Sequence, residues 1–344
     1  MSAFREILKK NQLAQNLVAF ARFLRAYRVY KRTGQTPETG YLSMRVLYFG
    51  TNGRFNNWFV KWEALTRRKP TIVVGEPRGV IGDLSQGQVQ SIVQDIEENG
   101  YHVFANRLSP ELCDELVRFA TTTPFKPRLA GASPLVYNSA TPIANVYDMG
   151  DSQTLFNSPA VQKIISDPSL LAVASGYLGE HTYLQNIQMW WSNANASNVN
   201  LSAAAQLFHA DLDAVKWIKI FFYLTDVDEH NGPHCYIAKS HKHKPKSVRH
   251  DGRITDDELA QAYPASDFRE LVGPCGTGIA ADTIGFHKGK PLERGERLIL
   301  QMTYATSFFG YGMPSKVTPT ASFTPEFREW LKKNKDVYAG YLQN

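Results

Sequence analysis

The 344-residue chain has little cysteine: Cys113, Cys235 and Cys275 are an odd number with no CxxC pair. That excludes a disulfide framework and a zinc ribbon, and fits a reducing compartment. It also lacks any apolar run near the ~20 residues that a membrane span needs. The best early run, Leu13 to Leu24, is broken by Gln15, Asn16 and Arg22 and has no small-residue cleavage site, so it is no signal peptide. Ser2 is the one serine of residues 1–33, too few for an organellar transit peptide. A cytoplasmic protein is the expectation. Internal repeats and low-complexity tracts are missing as well. With 43% hydrophobic and 20% charged residues, the chain is neither disordered nor collagen-like.

Acidic residues are scarce at one end. Residues 1–33 carry eight basic side chains against Glu6 alone, a net +7, while the whole chain sums to +6. The basic character therefore belongs to one segment. No recognised nucleic-acid motif accompanies it, and no nucleic-acid partner is expected. Within the segment Phe4, Ile7, Leu8, Ala14, Leu17, Val18, Ala21 and Leu24 recur at spacings of three and four. This predicts a helix over 3–32, ended by Gly34, Pro37 and Gly40. One reading packs its stripe on the protein's own body or on a second subunit. The other lays a basic amphipathic helix on an anionic membrane surface as a peripheral contact.

Residues 41–82 show no clear period. Their dense aromatic set (Tyr48, Phe49, Phe55, Trp58, Phe59, Trp62) reads as core, and Thr71–Val74 as a short strand. Ser85 caps a predicted helix to about Glu98, Gly100–Ala105 follows as a strand, and Pro110 opens another helix. From about 180 strands dominate: Tyr183–Ser192, Val215–Thr225, His234–Ala238, Thr277–Ala281, Ile284–His287 and Arg297–Thr306. Residues 325–342 read as a closing helix. The class is α+β with a barrel or jelly-roll centre. The expected organisation is a basic helix (1–34), an extension (35–84), a jelly-roll domain (85–315) and a helical tail (316–344).

The chemistry starts at His209-Ala-Asp211. On a strand, residues i and i+2 face the same way, so imidazole and carboxylate point into one space that suits a divalent metal. A lone H-x-D arises by chance about once in a chain with nine histidines. Here His287 follows, and ten residues later Arg297 enters an apolar strand. The turn sequence Lys288–Gly295 predicts a hairpin that sets His287 and Arg297 on adjacent strands. A buried guanidinium needs an anion or a satisfied partner. Two histidines and one carboxylate are the ligand set of non-haem Fe(II) oxygenases, which keep three coordination positions open. A 2-oxo acid and O2 fill them, and Arg297 is the candidate for the far carboxylate of 2-oxoglutarate, with Arg294 as its rival in the turn.

Strand alternation adds Gln188, Trp190 and Lys219 as pocket and cofactor-binding candidates. Lys219 has three open readings: it binds the cosubstrate, binds an anionic substrate, or extends to an edge. Asp213 is a weaker ligand candidate. His241 and His243 belong to a lysine-rich loop, Trp191 and Trp217 to the core, Thr283 is read as packing, and His234 as structural, with a pocket-facing side chain as its other reading.

The segments FHAD (208–211), KIFFYLTDVDEHNGPHCYIAKSHK (219–242), GTGIAADTIGFHKG (276–289) and RLILQMTYA (297–305) resemble the phytanoyl-CoA dioxygenase-like family of Fe(II)/2-oxoglutarate oxygenases over roughly residues 180–310. The resemblance implies a cupin-like double-stranded β-helix with flanking helices. It implies iron on His209, Asp211 and His287, and 2-oxoglutarate on Arg297. It implies O2-dependent hydroxylation of a small molecule, lipid or sugar by hydrogen abstraction and rebound, the class EC 1.14.11.-. Halogenating relatives lack the carboxylate, so Asp211 favours hydroxylation. One departure is Lys239, where the family has glycine before Ser-His-Lys. The lid falls in 125–150 and 192–206, and neither segment has a readable code for the substrate. The alternatives are a catalytically idle jelly-roll binding protein, membrane-associated through residues 3–32, and a cupin-like metalloenzyme that has no need of Arg297.

Overall fold

The computed structural model describes residues 11–194, 207–310 and 312–343. Residues 3–10 of the expected first helix and 195–206 of the expected lid lie outside them.

Among the described residues three helices come first: α1 (Gln12–Thr33), α2 (Glu38–Thr51) and α3 (Arg54–Thr66). The Asn11 side chain accepts from the first N–H groups of α1, and Gly34 closes it in the left-handed conformation. The aperiodic stretch from 41 is therefore largely helical. α1 packs on the protein's own body, but not with the predicted stripe. It buries Phe23, Ala26, Tyr27 and Tyr30, with Phe23 and Tyr27 edge-on to Phe59 of α3 and to Phe309. Leu17 stays 63% exposed. A ring buries more apolar area than a leucine, so the aromatic stripe takes the inner face. The aromatic set after 41 divides too: Tyr48, Phe55 and Phe59 are buried, whereas Trp58 and Trp62 point outward.

A short hairpin follows, β1 (Arg78–Gly79) and β2 (Gly82–Asp83). Thr71–Val74 is extended but is no strand: the N–H groups of Thr71 and Val73 donate to the side chains of Asp336 and Asn334. Then come α4 (Gln86–Asn99), opened by a capping box between Ser85 and Gln88, β3 (Tyr101–Val103), and α5 (Pro110–Thr122), with Ser109 as its cap. The middle of the chain holds β4 (Pro124–Pro127), β5 (Leu135–Val136), β6 (Val146–Met149), α6 (Ser152–Asn157), α7 (Pro159–Ile165) and α8 (Pro168–Leu178). β7 (Tyr183–Asn193), β8 (Trp217–Tyr223), β9 (His234–Ile237), α9 (Asp256–Ala262), β10 (Phe268–Leu271), β11 (Gly278–Ala281), β12 (His287–Gly289) and β13 (Glu296–Ala305) complete the strand-rich half. The last helix, α10, is shorter than expected at Pro325–Lys333, because Asn334 turns inward to the backbone of Val73.

The strands form a jelly roll of two antiparallel sheets. The larger runs β3-β11-β8-β13-β7-β6-β4-β5 and the smaller β10-β9-β12. Alternation sorts the larger sheet's side chains. Ile218, Ile220, Phe222, Leu298, Leu300 and Met302 join the main core with the helices. Lys219, Phe221, Arg297, Ile299 and Gln301 face a cavity toward the smaller sheet. This is why VKWIKIFFYLT reads as apolar on both faces, with a lysine inside.

Two expectations fail near the cavity. Ile284–His287 is a turn that becomes strand only at His287, and Gly285 carries it: a Cβ there would stand 1.9 Å from the Tyr236 hydroxyl. The hairpin of His287 with Arg297 is not formed either. β12 pairs with β9, and β13 pairs with β7 and β8, so the two residues stand in different sheets. The segment between them crosses from one sheet to the other, because the jelly roll closes there.

Candidate metal centre

His209 and His287 sit opposite one another as a backbone pair. Each N–H donates to the other's carbonyl at 3.0 Å. Their rings therefore emerge on one side, with centroids 4.4 Å apart. Asp211, two residues on, is anchored by its N–H on the Thr283 carbonyl at 2.9 Å. Its carboxylate oxygens stand 3.5 Å from His209 Nε2 and 3.3 Å from His287 Nε2. The three donor atoms lie within 4.8 Å of one another.

The tautomers follow from the backbone. His209 Nδ1 lies 2.9 Å from the Leu207 carbonyl and His287 Nδ1 3.0 Å from that of Gly285. A carbonyl only accepts, so Nδ1 carries the proton and both Nε2 lone pairs face Asp211. Burial, then the neighbouring His287, pushes His209 down to about 3, which keeps it neutral as a ligand must be. Burial opposes ionisation of Asp211, yet Lys219 and then His287 hold its carboxyl well below the usual range. These are the donors for a divalent ion of intermediate softness: two neutral imidazoles and one anionic oxygen.

Lys219 does not extend to an edge. Its ammonium is 2.6 Å from Asp211 Oδ2 and 3.1 Å from Asp213 Oδ2. Asp213 thereby belongs to Lys219 and is not in the donor group. Gln188 and Trp190 line the same cavity, of about 180 Å³, as the two histidines, Asp211 and Arg297.

Arg297 reaches in from the larger sheet and is only 6% exposed. Its Nε finds no hydrogen-bond partner, and no carboxylate among the described residues pairs with it. A Cβ on Gly289 would come 3.4 Å from its Nη2, so the glycine leaves the guanidinium room. Arg294, the rival, is spoken for on the outside by Asp228 at 2.6 Å. An unpaired buried guanidinium across a cavity from a His/Asp/His cluster fits an anion with two ends, one on a metal and one on the arginine.

A model of the phytanoyl-CoA dioxygenase (PhyH) family matches residues 96–288. The chain belongs to this family. As a phytanoyl-CoA dioxygenase-family protein it is a non-haem Fe(II)- and 2-oxoglutarate-dependent oxygenase that uses O2. No curated protein matches it. Among solved structures, iron-bound EctD from S. alaskensis shares 14% identity at a TM-score of 0.49, covering 73% of this chain and 98% of that one. HygX from Streptomyces hygroscopicus, with nickel and 2-oxoglutarate bound, shares 14% at 0.47, covering 70% and 94%. SnoK, a carbocyclase of nogalamycin biosynthesis, shares 13% at 0.46, covering 66% and 86%. No helix among the described residues is long and apolar enough to cross a membrane.

Sequence reasoning missed Arg128 and set the structural reading of His234 ahead of the pocket-facing one. His234 lines the cavity, its ring 5.4 Å from that of His287, and its Nε2 has no partner. Burial, and then the neighbouring His287, hold it far below the usual histidine range. Its place on β9 opposite Gly289 was the available signal. Arg128 follows β4 and pairs with Asp148 through two hydrogen bonds at the cavity wall. Thr283, read as packing, also lines the cavity and accepts from Trp217 Nε1.

Proposed function

We propose that this oxygenase hydroxylates an aliphatic C–H bond of a small organic molecule, a lipid or a sugar among them. His209, Asp211 and His287 hold the iron, and Arg297 holds the distal carboxylate of 2-oxoglutarate. The observation that carries this is the unpaired, buried Arg297 guanidinium facing a His/Asp/His donor group. Iron, when bound, supplies oxygen activation driven by decarboxylation of the 2-oxo acid. The chain supplies the rest. The Leu207 and Gly285 carbonyls fix the imidazoles, and Lys219 steadies the carboxylate oxygen turned away from His209. Gln188, Trp190 and the neutral His234 shape the space over the cosubstrate. Asp211 fills the position that a halide would need, which favours hydroxylation. The catalytic domain is taken as 85–315. Three free thiols fit a cytoplasmic setting.

The test is anaerobic loading with Fe(II) and 2-oxoglutarate, followed by O2 and measurement of succinate. His209→Ala should bind neither metal nor give succinate. Arg297→Ala should keep the metal but raise the KM for 2-oxoglutarate about 10–100-fold, the scale of a lost charge-assisted bidentate pair. Unchanged succinate release in Arg297→Ala would favour a metalloenzyme that needs no 2-oxo acid. No release from wild type would favour an idle binding protein.

A further inference from the structure

The outer face of the first three helices is unusual in two independent respects. Eight of the fifteen large hydrophobic residues that the described structure leaves exposed lie between Leu13 and Leu65. The same part of the chain, residues 1–70, holds fourteen lysines and arginines against three acids, so the other 274 residues carry 24 basic against 29 acidic groups.

On α1 and α3 the two features meet: three of the fourteen cations lie outside the described residues, and Arg45, Arg67 and Lys69 are paired with Asp251, Glu63 and Glu180, which leaves cations of these helices beside exposed apolar side chains. α1 touches both of the others. Phe23 and Tyr27 meet α3 through Phe55, Phe59 and Trp62, and Val18, Ala19 and Arg22 meet Leu42, Ser43 and Val46 of α2 across an open groove. With the aromatic stripe of α1 turned inward, and Leu24 packed against it, the stripe through Leu13, Leu17 and Ala21 turns outward and continues into Arg25, Arg28 and Arg32. On α3, Arg54, Trp58, Lys61 and Leu65 share one outward stripe by helical spacing. Trp58 stacks on Trp62, with ring centroids 6.4 Å apart. Trp58 is 50% exposed and Leu65 88%. Arg25, Arg28, Arg32 and Lys61 have no carboxylate partner among the described residues.

We propose that this three-helix face docks on an anionic lipid surface, with Leu17, Trp58 and Leu65 entering the headgroup boundary and the arginines and Lys61 meeting lipid phosphates and carboxylates. Cations interleaved with Trp and Leu on the same stripe are what an interface between water, charge and hydrocarbon selects. A second copy of the chain fits poorly, because a two-fold contact would set one cationic patch against another. A nucleic acid would engage the arginines and leave the leucines and tryptophans in water. The proposal extends the single-helix reading of the sequence: α1 cannot leave the body without exposing Phe23 and Tyr27, so the surface works as a docked layer.

The test uses full-length protein. Truncation at residue 34 would strip the aromatic core of the layer, so point variants replace it. Co-sedimentation is measured with phosphatidylcholine vesicles and with vesicles about one-third phosphatidylserine. Wild type should pellet with the anionic vesicles alone, and lose most of that binding between about 0.1 and 1 M salt, as the screening length shrinks from ~10 to ~3 Å. The triple variant Leu17→Gln/Trp58→Gln/Leu65→Gln and the triple variant Arg25→Glu/Arg28→Glu/Arg32→Glu should each weaken partitioning about tenfold or more, with unchanged Tm and succinate release. Absent pelleting of wild type overturns the proposal, as does pelleting that the apolar variant leaves intact. So does a dimer in solution that either variant dissociates, or retention on an acidic protein or nucleic acid without vesicle binding.

Discussion

At the scale of single residues, backbone carbonyls decide what the imidazoles can do. Leu207 and Gly285 each take one Nδ1 proton, and the chemistry is left to Nε2. Lys239 shows the opposite arrangement, a residue held where its own backbone preference objects. Its φ of 67° lies in the left-handed region, and its N–H donates to the Asn99 carbonyl at 2.9 Å. A turn of the kind glycine favours is therefore made with a lysine in it, and it lets Ser240 close on Ile237 and support Phe286 beside His287. A side chain in this region costs about 1–2 kcal/mol, part of which glycine's extra freedom in the unfolded chain returns. Lys239→Gly should raise stability by about 0.5–1 kcal/mol in urea titration. A loss of stability would mean that the lysine makes contacts worth more than its strain.

At the scale of elements, Lys244 ties α2 to the turn that leads into β12. Its ammonium donates to the Tyr48 hydroxyl at 3.1 Å, the Ser240 carbonyl at 2.8 Å and the Ile284 carbonyl at 2.7 Å. Burial pushes it down to about 7, with Asp282 opposing only in part. The unfolded lysine titrates near 10.4. Between these values the unfolded chain binds the extra proton, so stability rises with pH from about 7 to about 10, by at most ~1.4 kcal/mol per pH unit. Below 7 both states are charged and the full cost of burial is present. Wild type should therefore gain on Lys244→Met as the pH rises through this window. Denaturation at several pH values checks it, and a constant difference between the two would show that the three acceptors keep the lysine charged throughout.

The elements themselves were legible where one period dominates, as in α4, α5 and the long strands β7, β8 and β13. The donor candidates could be picked out from the H-x-D, the distal histidine and the arginine, although the H-x-D stands on an isolated bridge and not on the strand its spacing suggests. What stayed hidden depends on partners far away in sequence. α1 has two apolar stripes, and only the presence of Phe59 and Phe309 decides which is covered. Thr71–Val74 has strand composition, but its N–H groups meet Asp336 and Asn334 before any strand does. His287 and Arg297 lie ten residues apart across a turn sequence, yet they belong to different sheets because each strand already has better partners. A local sequence states the pattern of a strand, and the sheet assigns its neighbour.

At the scale of the whole molecule, the candidate site exists only when the two sheets face one another. His209, His234 and His287 come with the smaller sheet, and Lys219, Gln188 and Arg297 with the larger. Ligands that bridge them must therefore stabilise the fold, by RT ln(1 + [L]/Kd) for each. Mn(II) or Ni(II) serves as a stand-in that does not turn over. At 100 times its Kd, such an ion contributes about 2.7 kcal/mol, or roughly 4 °C in Tm for a chain of this size. His209→Ala keeps its backbone pairing with residue 287, so it should fold but show no metal-dependent shift. Arg297→Ala should keep the metal shift and lose the further rise that 2-oxoglutarate gives to wild type. Thermal melts of the three proteins, with no addition, with metal, and with metal plus 2-oxoglutarate, separate the two roles. An equal metal shift in His209→Ala would place the ion elsewhere in the molecule, and a 2-oxoglutarate shift intact in Arg297→Ala would give the dicarboxylate a different anchor.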